Sequence, residues 1–159
     1  MYLNKRKAIF LISILSLVFF LTINDIKSQE LKVIDGDTIH LNGKKIRFTG
    51  IDTPELKQTC INQGIKNFCG EAAKQILIDK IGNNTVECFS EGKDQYKRIL
   101  AECFVNNKSL SSYLVRSGYA FAYRRYSKKF VEDEDYARVN KIGIWSMSFD
   151  YPWDYRKKN

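Results

Sequence analysis

Apolar and polar residues alternate with a period of two along "ELKVIDGDTIHLNGKKIRFTGI", Glu30 to Ile51. This stretch is rich in Val, Ile, Thr and Phe and is broken by turn signals at Asp35-Gly36 and Asn42-Gly43, so it predicts three β-strands joined by tight turns. The period then changes. In "NFCGEAAKQILIDKIG", Phe68, Ala72, Ala73, Ile76, Leu77 and Ile81 fall near one helical face, and Gly82 supplies a C-terminal stop. "TVECFS" and "ILAECFV" return to strand character, separated by the polar connection "EGKDQYKR". "SLSSYLVRSG" spaces Leu110, Tyr113 and Leu114 as a short amphipathic helix closed by Gly118. A third, charged helix is expected over "FVEDEDYARVNK". The aromatic and basic tail "IGIWSMSFDYPWDYRKKN" is expected to pack Trp145 on the body and leave its last residues mobile.

Five strands with a helix between the third and fourth give an α+β, mainly β class in the order of an OB-fold, a five-stranded Greek-key barrel with about three helices here. A further segment precedes it. Residues 1–28 carry a basic head (Lys5, Arg6, Lys7), an apolar run from Ala8 to Ile23 and a polar end, the order of a secretory signal, or of a membrane-anchoring helix if it is not cleaved. The chain thus divides into a signal or anchor over residues 1–28 and one domain over residues 29–159.

Charge and cysteines refine this reading. The formal charge of +8 falls to +5 without residues 1–28, which hold Lys5, Arg6, Lys7 and Lys27 against one acid, Asp25. A basic domain attracts polyanions such as nucleic acid or an anionic membrane, and equally a lysine surplus can serve solubility alone. All four cysteines, Cys60, Cys69, Cys88 and Cys103, follow the signal, which suits two disulfides in an exported protein. Three pairings are possible. Local pairing is favoured, since Cys60 with Cys69 closes a short loop and Cys88 with Cys103 bridges strands expected to be neighbours. A cysteine metal site fits less well, because no C-x-x-C occurs and the one histidine, His40, lies far along the chain.

Taken singly, the candidate chemical residues have structural explanations: "DGDT" is a hairpin turn, "DTPE" a strand end with Thr53 held extended by Pro54, and "KDQYKR" an exposed loop. Together they suit one task. A hard divalent cation wants carboxylate and carbonyl oxygens, which Asp37, Asp52 and the Thr53 carbonyl would supply. A phosphodiester attacked by water gathers negative charge that guanidinium forks match, and Arg47 and Arg98 fit that need. Glu55 is the candidate to orient or activate the water.

In order and register, "VIDGDTIHL", "IRFTGIDTPE" and "DQYKRILA" resemble the staphylococcal nuclease (thermonuclease) family, over about Leu31 to Trp145, and the cysteines and tail look like its exported bacterial branch. The resemblance implies an OB-fold enzyme that hydrolyses DNA and RNA with Ca²⁺ to 3′-phosphate products. It implies calcium ligation by Asp37, Asp52 and the Thr53 carbonyl, a base or water-orienting role for Glu55, and a phosphate clamp of Arg47 and Arg98. Departures occur in the substrate-binding stretches. Gln95 replaces a usual lysine and Lys97 stands where glycine is common, while Tyr96 keeps a stacking or phosphate role; Tyr123 matches a stacking tyrosine, with Arg124, Arg125 or Tyr126 in the next place, Arg125 being the one taken as substrate-binding. The expected protein is an exported monomer, secreted or periplasmic, with nucleic acids as substrates, no obligate protein partner, and a membrane tie only through an uncleaved N-terminus. A catalytically weak or inactive nucleic-acid-binding module is the rival reading, and a membrane-anchored interaction protein a third.

Overall fold

A computed structural model describes residues 29–159. The expected signal or anchor segment lies outside them. The strands are β1 (Leu31–Val33), β2 (Thr38–Leu41), β3 (Lys44–Phe48), β4 (Ile51–Asp52), β5 (Thr59–Asn62), β6 (Ile65–Phe68), β7 (Glu87–Lys93), β8 (Ile99–Val105), β9 (Lys108–Ser109) and β10 (Phe121–Ala122). The helices are α1 (Cys69–Ile81), α2 (Leu110–Arg116), α3 (Val131–Val139) and α4 (Pro152–Lys158), with a 3-10 turn over Gly143–Ser146. The architecture is α+β, with four helices among the described residues against about three expected there.

The main sheet runs β1-β2-β3-β8-β7, with β9 on β8. Its path contains the five strands that alternation predicts. All pairs are antiparallel except β3 with β8, the place where the chain crosses over through α1. Asn42 and Gly43 turn β2 into β3 with positive φ at both positions (49° and 74°), the backbone that an Asn-Gly hairpin turn requires. Among the described residues no ladder joins β7 to β1, and the gap is bridged by a side chain. The Gln29 amide donates to the Val86 carbonyl at 2.7 Å and accepts from the Val86 N–H at 2.8 Å.

One core lies between the sheet and the first two helices, around Ile39, Ile46, Phe48, Leu77, Ala101 and Leu114. Along β3, Ile46 and Phe48 face it while Arg47 takes the opposite face, as strand geometry dictates. Gly82 (φ 51°) follows α1 as expected, and the Ser109 side chain accepts the Ser112 N–H at the start of α2.

Two features, the place of Phe68 and the course of the tail, differ from expectation, while the cysteine pairing agrees with it. Phe68 is not on the buried face of α1; it ends β6, a hairpin partner of β5 turned by Gln63 and Gly64, and is exposed. The disulfide from Cys60 to Cys69 ties this hairpin to the first residue of α1, and Cys88–Cys103 joins directly opposed residues of β7 and β8, so both local pairings are present. The tail does not trail away. Phe149, Tyr151 and Trp153 pack around Phe121 with ring centroids at 5.3, 5.1 and 6.2 Å, and with Trp145 they make a second, aromatic core that ends in α4. Burial of these rings holds the tail against the body, with Lys157, Lys158 and Asn159 on the solvent side. No helix of the described residues is long and apolar enough to cross a membrane.

Candidate active site

Asp37 opens β2, and its backbone N–H is held by the Asp35 carboxylate at 3.1 Å, so the Asp-Gly turn folds upon its own side chain. A β-carbon on Gly36 would lie 3.0 Å from the side chains of both Ala73 and Thr53. Lacking one, the turn sits close against α1 and the strand end that carries Thr53. Asp37 is buried and accepts from Arg47 Nη1 at 2.5 Å, the Thr38 hydroxyl at 3.0 Å and the Thr53 N–H at 3.2 Å. Arg47, directly across the ladder from Thr38, reaches Asp52 Oδ1 with Nη2 at 2.8 Å. One guanidinium therefore joins the two aspartates of separate motifs.

Asp52 is fully buried on β4, whose partner β10 places Phe121 opposite it and delivers Tyr123 one residue past the strand. Glu55 follows in a turn organised by Gln58. The Gln58 N–H donates to the Glu55 carbonyl at 2.7 Å, and its side-chain oxygen accepts the Glu55 N–H at 3.2 Å. The other end of that amide donates to the Asp150 carbonyl at 2.7 Å, which ties the Glu55 turn to the tail. Arg98 stands on the far side, where Asp94 holds its Nε at 2.7 Å and accepts the Tyr96 and Arg98 N–H groups at 2.9 Å each. Lys97 takes a φ of 65° in this loop, which explains why a glycine suits the position.

An open cleft of about 850 Å³ collects these groups. Asp37, Arg47, Thr53, Glu55, Tyr96, Arg98 and Tyr123 all line it, and Asp52 lies directly behind Arg47. Arg125 is not in its wall; it is exposed, with its guanidinium 5.8 Å from the Tyr126 ring, and Tyr126 is the residue of that segment that lines the cleft. His40 is an exposed strand residue away from the site.

The electrostatics are those of an acidic cluster under partial cover. Burial pushes the Asp37 carboxyl up to about 7; Arg47 pulls it down, and Asp35 and Asp52 raise it further. Burial works against the Arg47 charge, but Asp37 and then Asp52 outweigh it and hold its pKa above the ordinary guanidinium value. Among the described residues no three His, Cys, Asp or Glu side chains are arranged around one point. The donor chemistry nevertheless fits a hard divalent cation, since the ligating groups are all oxygens and carry more negative charge than Arg47 neutralises.

A family model described as "Staphylococcal nuclease homologue" matches residues 45–147, the span that holds Arg47, Asp52, Glu55 and Arg98. The chain belongs to the staphylococcal nuclease family. It is 34% identical over 130 residues to Endonuclease YncB of Bacillus subtilis, covering 74% of this chain and 60% of that one. It is 29% identical over 123 residues to an uncharacterized endonuclease of Haemophilus influenzae, covering 73% of this chain and 64% of that one. It is also 30% identical over 120 residues to the succinoglycan biosynthesis protein ExoI of Rhizobium meliloti, covering 73% and 63%. The chain thus spans less than two thirds of the length of these relatives.

Sequence reasoning missed three residues of this nuclease-family site. Gln58 and Asp94 position Glu55 and Arg98 through the hydrogen bonds above, and Arg156 enters from α4. Its Nη2 donates to Asp52 Oδ2 at 2.6 Å, and its Nη1 to Glu55 Oε1 at 2.7 Å. The spacing of Asp94 four residues before Arg98 is a legible signal; nothing local links Arg156 to an aspartate 104 residues away.

Proposed function

We propose that this protein is an exported, monomeric nuclease that hydrolyses phosphodiester bonds of DNA and RNA with Ca²⁺ and leaves 3′-phosphate ends, built on an OB-type barrel. The observation that carries it is the convergence of Asp37 and Glu55 with Arg47 and Arg98 at one cleft from separate strands and a loop, with the buried Asp52 hydrogen-bonded to Arg47 beside it. Asp37, Asp52 and the Thr53 carbonyl would hold the cation, which when bound supplies positive charge to the phosphate oxygens. Arg98 and the part of Arg47 still open to the cleft, 18% of its side chain, would hydrogen-bond the equatorial oxygens as their charge grows. Glu55 would take a proton from the attacking water as the water oxygen bonds to phosphorus and the bond to the 5′ oxygen breaks, the departing 5′-alkoxide taking a proton from solvent to become the 5′-hydroxyl. Tyr96 and Tyr123, both in the cleft wall, offer faces to bases of any identity, which suits a substrate range set by the backbone; Arg125 would meet phosphates farther along the strand. Two disulfides suit an extracellular compartment.

The test is incubation with plasmid DNA and with RNA, in Ca²⁺ or in chelator, followed by end-group analysis. Cleavage confined to Ca²⁺ with 3′-phosphate ends is expected. A mobility shift without cleavage would make the protein a binding module instead.

A further inference from the structure

Arg156 makes three contacts with two carboxylates: Nη2 to Asp52 Oδ2 at 2.6 Å, Nη1 to Asp52 Oδ1 at 3.3 Å and Nη1 to Glu55 Oε1 at 2.7 Å. Asp52, fully buried, is thereby held between two guanidinium groups, because its Oδ1 also accepts from Arg47. The two arginines are not equivalent. Arg47 sits in the middle of the main sheet with 18% of its side chain exposed, whereas Arg156 is 39% exposed and lies in the last turn of a seven-residue helix at the chain end. Withdrawing Arg47 would disturb a ladder residue; withdrawing Arg156 needs only a turn of its own side chain. Burial disfavours the Arg156 charge, yet its hydrogen bonds to Asp52 and Glu55 outweigh that and hold its pKa above the ordinary guanidinium value. A second cation arriving at Asp52 must compete for the same oxygens.

We propose that Arg156 is a positioning residue that takes the place of a divalent cation on Asp52 and Glu55, so that cation binding and withdrawal of Arg156 are one equilibrium. This rests on the nuclease reading in taking Asp52 as a cation ligand. Before the cation binds, Arg156 keeps the two carboxylates paired and aimed at one point, limiting the repulsion that would spread them apart. After it binds, the displaced guanidinium remains at the wall of the cleft, where a nucleic-acid phosphate is a new partner.

The test measures Ca²⁺ binding by calorimetry on the full chain without nucleic acid. Arg156→Gln is expected to bind Ca²⁺ about tenfold more tightly than the native protein, because the site no longer pays for a competing internal ligand. Arg156→Lys should fall between the two, and Lys157→Gln, a neighbouring charge removed outside the cluster, should stay within about twofold of native. Native-like or weaker Ca²⁺ affinity in Arg156→Gln overturns the proposal. A second measurement needs no altered stability: nitrogen-edited NMR of the native arginine side chains should lose the paired Arg156 signal as Ca²⁺ is added, and its persistence at saturation also overturns the proposal. If neither native nor variant protein binds Ca²⁺, the cation reading itself falls and takes this inference with it; binding of equal strength removes the inference alone.

Discussion

At the scale of single residues, the site depends on groups that act by holding their neighbours in place. Asp94 fixes Arg98 through its side chain and folds the loop behind it through two backbone N–H groups. Asp94→Ala should therefore lower the cleavage rate about tenfold by letting Arg98 wander, while Arg98→Lys, which keeps the charge and loses the fork, should cost about 10² to 10³. Steady-state rates of both variants check this, and near-native turnover in Arg98→Lys would remove Arg98 from the phosphate clamp. Burial raises the Asp94 carboxyl, but the hydrogen bonds and charge of Arg98, with the Tyr96 N–H, together prevail and keep it below the ordinary aspartate value of 3.8. The sign follows: this pairing is intact above pH 3.8 and is lost only as pH falls through the lower folded value, so the Asp94 carboxyl resonance should stay constant between about pH 8 and 5. Asp94 was legible in principle, four residues from Arg98. Gln58, a neutral residue with no motif around it, was not.

At the scale of elements, the start of α1 determines where Glu55 stands. A β-carbon on Gly70 would lie 1.8 Å from the Glu55 carbonyl oxygen and 2.8 Å from the Leu56 α-carbon, so the helix can reach the Glu55 turn only with glycine there. Gly70→Ala should cost about 1–3 kcal/mol in denaturant unfolding and lower turnover as well, because the clash displaces the backbone on which Glu55 rides. Unfolding and rate are measured on the same sample; a stable variant with native rate would show that the turn absorbs the methyl group. The body and the end of α1 were plain from its apolar spacing and Gly82, though not its start, since Phe68 belongs to β6; β2 and β3 were plain from alternation around Asn42-Gly43. The β5–β6 hairpin was harder to read, since most of its residues are exposed and give no buried face to reveal a period.

At the scale of the whole molecule, covalent and aromatic ties brace a small basic domain. Cys60–Cys69 pins the hairpin to α1, and residues adjoining it, Ile61 and Ser148, exchange backbone hydrogen bonds at 2.8 and 2.9 Å, so hairpin, helix and tail share one anchorage. Reduction should destabilise the domain by about 2–4 kcal/mol per bridge, read as a lower melting temperature; an unchanged temperature in reductant would mean the bridges carry little. The sequence by itself determined the five strands of the main path, three helices and the motifs bearing Asp37, Arg47, Asp52, Glu55 and Arg98, and it favoured the local cysteine pairs, because strand and helix periods, turns and short-range motifs are properties of neighbouring residues. Tertiary structure alone decided that the tail folds into α4 over Phe121, that Gln58 reaches Asp150, and that Arg156 lies against Asp52 and Glu55. The first joins residues about thirty apart, and the other two join parts of the chain about a hundred residues apart. Their stability comes from burying aromatic surface and pairing charges across those distances, which no local pattern encodes.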